Sequence, residues 1–324
     1  MRGLLYNIVM RVRNVFGIVA RNYILYYKTL AYKIAVFAVF AFLTGLTLQV
    51  RSRGLYEKLF PVLKDGLNIV KAVFASNPTD ELAAKLSESL DALAKYLSAS
   101  VGDMLVTGLI IFALLFAHRF FSGIADSVSM ITLDGYMESL IKKPYFATAF
   151  ENLGVIVKYL LVEVCFASVY ALAVVAAVYG LAKLLLSVAP LITPLVTLLV
   201  VFSLQGLYNT LTSQFTAKAL IEKKPIKVAL KEGLRPQKGY FWKMYASYAL
   251  INVVVFYLFI TTLMFTFGVG TILVLPFSSL FVCGMKTVDY YVIHTRKYFI
   301  DLDTIIVPKE LRENDEKMLK DVEI

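Results

Sequence analysis

The sequence predicts an all-α membrane protein: six transmembrane helices built as three repeated hairpins, each introduced by an amphipathic helix on the inner face. Three observations lead there. The chain of 324 residues is 59% hydrophobic and 17% charged, with mean hydropathy +0.72, a balance that soluble domains do not have. Its apolar residues gather into six runs, near 34–50, 104–121, 159–182, 190–210, 246–267 and 269–286. About 20 residues at 1.5 Å each cross the roughly 30 Å hydrocarbon core, and the first and last runs are near the short limit. Finally, Phe121-Ser122, Lys142-Lys143-Pro144 and Glu151-x-Leu153 recur as Phe202-Ser203, Lys223-Lys224-Pro225 and Glu232-x-Leu234, each 81 residues on. Repeats at fixed spacing inside one chain are the mark of a duplicated unit.

Each element has its own justification. Residues 1–33 form a basic amphipathic segment, with Arg2, Arg11, Arg13, Arg21, Lys28 and Lys33 and no acid. The segment 211–245 carries Lys218, Lys223, Lys224, Lys227, Lys231, Arg235, Lys238 and Lys243 against Glu222 and Glu232. Lysine and arginine near span ends resist translocation, so both segments belong inside, and six spans then place both termini in the cytoplasm. No small-x-small cleavage site follows the first run, which reads as a retained anchor in a plasma membrane. The first hairpin, 34–121, encloses the long outer loop 51–103, whose seven bases balance seven acids. In that loop Leu55, Leu59, Leu63, Leu67, Val70 and Phe74, then Leu82, Leu86, Leu90, Leu93 and Leu97, recur at helical spacing. Asn77-Pro78 opens the second of these two helices as cap and first position. The second repeat covers 122–210 and the third 211–298. Residues 299–324 are a charged cytoplasmic tail with a short helix opening at Pro308.

Lys-Lys-Pro suits a break between helices, because proline lacks a donor and disfavours helix in the residue before it. Lys142, Lys143, Lys223, Lys224 and Lys227 are the candidate lipid-headgroup contacts, since bases beside a membrane attract anionic lipid. The plainer reading of the motif is a turn with an anchor. A fainter third copy aligns Gly17–Arg21 with Gly154–Lys158, each after an asparagine, Asn14 or Asn152. Tyr240, Phe241, Trp242, Tyr245 and Tyr248 interleave with the third copy's lysines as an interfacial belt, which speaks against nucleic acid as a partner.

The residues Ala217–Pro225, Ala229-Leu230-Lys231-Glu232-Gly233-Leu234 and Lys238-Gly239-Tyr240-Phe241-Trp242-Lys243 combine an acid, a short turn, an Ala-Leu pair and a basic-aromatic entry to a span. This pattern resembles bacterial six-span integral membrane proteins related to the membrane domain of glycerophosphoryl diester phosphodiesterases, over about residues 120–290. The resemblance implies an all-helical membrane fold. It does not carry over the phosphodiesterase activity, because the chain has no appended catalytic domain.

Chemistry is sparse. His118 and His294 stand alone at expected span ends, and no metal-spaced histidines, phosphate loop or nucleophile elbow occurs. No enzyme activity, cofactor or metal is expected. Cys165 and Cys283 read as buried thiols. Glu163 lies in an apolar run, where a charge costs roughly 2.5–3.5 kcal/mol on insertion scales, so it should face protein or water. Gln205, Asn209 and Asp289 complete a candidate intramembrane polar site with it. Ala173, Ala176, Ala177 and Gly180 give a small face for close helix packing, and Pro194 and Pro276 interrupt the fourth and sixth runs. The favoured reading is a non-enzymatic envelope or membrane-complex component that engages lipids or partner proteins. The competing reading is a secondary transporter or channel that uses Glu163.

Overall fold

A computed structural model describes residues 2–51, 53–75, 78–99, 101–188, 192–235, 239–266 and 270–307. Among these are eleven helices and one two-stranded hairpin: α1 (Arg2–Arg21), α2 (Tyr23–Arg51), α3 (Arg53–Phe74), α4 (Asp80–Ala99), α5 (Val101–Ser139), α6 (Tyr145–Glu151), α7 (Leu153–Val188), α8 (Thr193–Leu220), α9 (Ile226–Gly233), α10 (Phe241–Phe265), α11 (Thr271–Ile293), β1 (Tyr298–Phe299) and β2 (Ile305–Ile306). Six of them, α2, α5, α7, α8, α10 and α11, are long and apolar enough to cross a membrane. The chain divides into two compact units, residues 1–34 with 120–324, and residues 35–119.

Most of the six helices outrun the apolar stretches seen in the sequence. α5 continues 18 residues beyond the expected end at 121, and α2 starts 11 before the expected start at 34. The extension of α5 is invisible to a hydropathy window because polar residues alternate with its apolar ones, although most are buried. In α5, Ala125, Val128, Met130, Ile131, Leu133 and Met137 turn inward and are buried, together with Ser127, Ser129 and Thr132. His118 sits mid-helix against Phe37 and Phe40.

The first unit holds the main core. α1 buries Arg11, Asn14, Val15, Ile18 and Val19, which at steps of three and four form one face. It packs on α11 at Gly284, where an added Cβ would lie 2.9 Å from Val15. Two joints then repeat at 81-residue spacing: α5 ends at Ser139 and α8 at Leu220, while α6 starts at Tyr145 and α9 at Ile226. In both, the proline before the short helix, Pro144 or Pro225, is extended and occupies its N-cap. The bends differ in detail, since the left-handed residue is Leu140 in the first and Lys223 in the second.

A second recurrence concerns asparagine. Asn22 separates α1 from α2 and Asn152 separates α6 from α7. Each is buried, and its side-chain amide donates 2.8 Å to the carbonyl four residues back, Ile18 or Thr148. Each backbone carbonyl accepts from the residues three and four ahead, Leu25 and Tyr26 or Val155 and Ile156. The equivalent of Asn152 in this local geometry is Asn22, not Asn14. Asn14 instead donates to the Tyr298 hydroxyl at 2.9 Å.

Within the expected tail, residues 299–306 take part in a hairpin, of which 302–305 are exposed. Asp301 accepts from the Asp303 amide at 3.1 Å in the turn between β1 and β2, and Tyr298 is buried. The Tyr136 hydroxyl donates to the Ile300 carbonyl at 3.0 Å, and Arg21 pairs with Asp301 at 3.2 Å. The helix expected at Pro308 lies outside the described residues, as does the cap at Asn77.

In the second unit α3 and α4 are the expected amphipathic pair. They pack together, with Ser89 donating 2.8 Å to Asp65 between them. The other face of α3 exposes Phe60, Leu63, Leu67, Val70 and Val73.

Candidate functional site

The most enclosed polar stretch of the chain is the second half of α8. From Tyr208 to Thr216 only Leu211 escapes full burial, yet Asn209, Thr210, Thr212, Ser213, Gln214 and Thr216 are all polar. The helix tolerates them because hydroxyls bond back along it. Thr210 donates to the Gly206 carbonyl at 2.8 Å, Thr212 to Tyr208 at 2.9 Å and Thr216 to Thr212 at 2.8 Å. α7, α9, α10 and α11 pack around this stretch.

Tyrosines and charges reach α8 from these neighbours. The Tyr208 hydroxyl donates to Glu163 on α7 at 2.6 Å, and the hydroxyls of Tyr159 and Thr216 meet at 3.0 Å. From α10 Tyr248 donates to Ser213 at 3.4 Å, and from α11 Lys286 donates to Thr212 at 3.3 Å. Asp289, fully buried on α11, accepts from Arg11 at 3.0 Å. A second ion pair joins the Lys33 ammonium to Asp126 at 2.6 Å, with Ser279 accepting from the same lysine at 2.6 Å. Arg11 and Asp289, both buried, and the half-buried Lys33 with Asp126 are each matched to an opposite charge, while Glu163 and Lys286 bond to hydroxyls.

The four residues expected to form an intramembrane site are therefore distributed. Glu163 borders the polar stretch of α8 through Tyr208, Asp289 lies one turn along α11 from Lys286 and is held by Arg11, Asn209 is buried within the stretch, and Gln205 is exposed. Arg11 and Lys33, counted in the sequence as surface bases, turn out to be the interior partners of acids. Cys283 is buried as expected, but Cys165 is exposed, on the outward strip of α7 with Leu161 and Val169. The small face of α7 is likewise exposed at Ala173, Ala176 and Ala177, and an added Cβ on Gly180 meets nothing. Pro194 falls in the first turn of α8, where it breaks no bond, whereas Pro276 lies inside α11.

The five lysines expected at headgroups divide. Lys142 donates to the Arg21 carbonyl at 3.1 Å and lies over the Tyr136 ring. Lys143 lays its stem along Gly135. Lys224 bridges Glu222 at 2.8 Å and Glu232 at 3.0 Å, and Lys218 joins Glu232 at 2.9 Å. Lys223 and Lys227 are exposed. Bonds from Lys218 and Lys224 hold the Glu232 carboxyl down to about 2. Burial pushes Glu222 up, but the bonds it accepts from Lys224 and Tyr290 outweigh that and leave it below its ordinary value. The bonds to Glu222 and Glu232 in turn raise Lys224.

α9 shows why its lysines sort this way. Ile226, Ala229, Leu230 and Gly233 turn inward, and Ala229 and Gly233 are buried against α8. Lys227 and Lys231, one turn apart, point away, and Lys223 and Arg235 bracket the helix, all four exposed. Where α9 ends, a narrow cleft opens between α8 and α10, lined by Leu211, Gln214, Leu234, Arg235, Phe241 and Met244 among others. Gln214 is 1% exposed, and neither its Oε1 nor its Nε2 finds a hydrogen-bond partner among the described residues.

These features define a multi-pass helical membrane protein. No family model, curated protein or solved structure matches the chain.

Proposed function

We propose that this chain is a non-enzymatic component of a plasma membrane or envelope complex that engages lipids and partner proteins. In this reading both termini are cytoplasmic, α1, α6 and α9 lie at the inner face, and three hairpins repeat one plan. The matched helix bounds around Pro144 and Pro225 support the repeat. The basic-aromatic entry into α10 supports the relation to six-span proteins of the phosphodiesterase-linked type. One observation carries the functional reading. The acids Asp289, Asp126 and Glu163 are engaged by Arg11, Lys33 and Tyr208, while the lysines of α9 are turned outward. The membrane-embedded charges thus hold the helices together, and the outward ones are available to anions.

The competing reading, a transporter or channel, draws on the hydroxyl-rich stretch of α8 that Glu163 and Asp289 border. Reconstitution separates the two. In proteoliposomes the protein should show no proton or cation flux above empty vesicles. Flux abolished by Glu163→Gln would overturn the scaffold reading.

A further inference from the structure

We infer that the end of α9 and the cleft beneath it form a binding site for an acidic phospholipid whose headgroup carries a hydroxyl, the phosphatidylglycerol class. This inference rests on the lipid-engaging reading and names the lipid. Two independent observations meet at one place. The first is the row of exposed cations Lys223, Lys227, Lys231 and Arg235. Both acids nearby, Glu222 and Glu232, are tied to Lys218 and Lys224, so they do not neutralise the row. Four exposed bases along and beside α9 attract a phosphate, and the attraction is worth about a fivefold change in affinity for each base near a membrane surface.

The second observation is Gln214, which lines the cleft and whose buried carboxamide has neither its donor nor its acceptor paired among the described residues. A buried unsatisfied amide is unfavourable, and native structures usually pair such groups with protein, water or ligand. The cleft has room for one water-sized group. A hydroxyl is that size and, once the Gln214 amide turns toward the cleft, can donate to Oε1 while it accepts from Nε2. A bare phosphate monoester cannot donate when fully ionised, and a quaternary ammonium headgroup can neither donate nor accept. Arg235 is exposed and lines the cleft, where it can take the phosphate oxygens, and Leu211, Leu234, Phe241 and Met244 line it for the apolar glycerol neck. The charge row selects an anionic lipid, and the carboxamide selects among anionic lipids.

The chain carries its own reporter. Its single tryptophan, Trp242, is 72% exposed and adjoins Phe241 in the cleft lining. The full-length protein is reconstituted in bilayers containing brominated phosphatidylglycerol, brominated phosphatidic acid or brominated phosphatidylcholine, and quenching of Trp242 gives relative affinities. Phosphatidylglycerol should quench most strongly, at least fivefold above phosphatidylcholine and above phosphatidic acid. Lys227→Gln with Lys231→Gln should lower the preference over phosphatidylcholine by at least fivefold. Both side chains are exposed, so this variant keeps its fold. Gln214→Leu should leave that preference and remove the one over phosphatidic acid. Equal quenching by all three lipids in the wild type overturns the site. An unchanged ratio to phosphatidic acid in Gln214→Leu shows that the cleft holds only water and overturns the hydroxyl assignment. Relief of quenching by soluble glycerol phosphate at millimolar concentration shows a free anion site and overturns the assignment to a bilayer lipid. The liposome flux assay is separate: flux with intact lipid selectivity sinks the scaffold reading alone, and absent selectivity without flux sinks this inference alone.

Discussion

Replacing Arg11 with methionine tests whether α1 is locked into the bundle by a buried charge. The Arg11 and Asp289 side chains are 8% and 0% exposed, and their closest atoms are 3.0 Å apart. Methionine keeps much of the arginine's length and its apolar stem but leaves the Asp289 carboxylate without its counter-ion. Breaking a buried pair from one side costs about 3–5 kcal/mol, more than an exposed pair is worth, because the remaining charge stays desolvated. The guanidinium also lies 6.0 Å from the Tyr240 ring, at the outer limit of a cation–π contact, and adds little. With about 2–4 °C lost per kcal/mol in sizeable domains, the melting temperature in detergent should fall by about 10 °C. The double variant Arg11→Met, Asp289→Asn removes both charges and should recover most of that loss, because the two sites share one interaction. A fall of under about 2 °C in the single variant would refute the argument. A double variant no better than the single would show that the packing of α1, not its charge, carries the stability.

Two further outcomes follow from α9. Gly233→Ala places a Cβ against the Phe215 backbone nitrogen and Cα, which no rotamer change can relieve, so α9 must move off α8. We expect a loss of about 1–3 kcal/mol by thermal unfolding, with weaker acidic-lipid quenching of Trp242. The Glu222–Lys224–Glu232–Lys218 cluster gives a pH dependence: the two carboxyls lie below their ordinary value of 4.5 when folded, Glu232 at about 2, so the stabilisation is present above about pH 4.5 and drains away as pH falls toward 2. Melting curves of the wild type should drop through that window by more than those of Glu232→Gln.

The membrane class and the six long helices were legible because hydrophobic runs of that length have one use. The joints were legible too, since proline after two lysines marks a break by its missing donor and fixed backbone. The interior was not. Arg11 in the sequence belongs to a basic segment without acids, and only folding brings it to Asp289, 278 residues away. Lys33 was counted as the last base before a span, while in the folded chain it is ten residues inside α2 and paired. Charge counting near span ends assumes exposed charges, and these two are interior. Gln214 gave no signal at all, as one glutamine in a polar turn; its meaning lies in lost partners, which only coordinates reveal. One missed signal was available. Asp301-Leu302-Asp303 between Phe299-Ile300 and Ile305-Ile306 has the aspartate turn and β-branched flanks of a hairpin.

The two joints 81 residues apart carry different outward faces on one frame. Tyr145 opens α6 where Ile226 opens α9, and Thr148 is buried where Ala229 is buried. The outward positions differ in kind. Phe146 and Phe150 of α6 stand where Lys227 and Lys231 stand in α9, and the two phenylalanines are 64% and 76% exposed. Burial has kept both inward faces small or apolar, because each packs beneath a long helix. Nothing in the packing constrains the outward pair, so the difference there reports on the surroundings. An exposed phenylalanine pair suits the apolar side of a lipid interface and an exposed lysine pair its phosphates. The helices themselves carry this division: α6 has no lysine or arginine and α9 has Lys227 and Lys231, while of the exposed lysines just before α6, Lys142 donates to the Arg21 carbonyl. Acidic lipid should therefore gather at α9 and not at α6, although Lys-Lys-Pro precedes both.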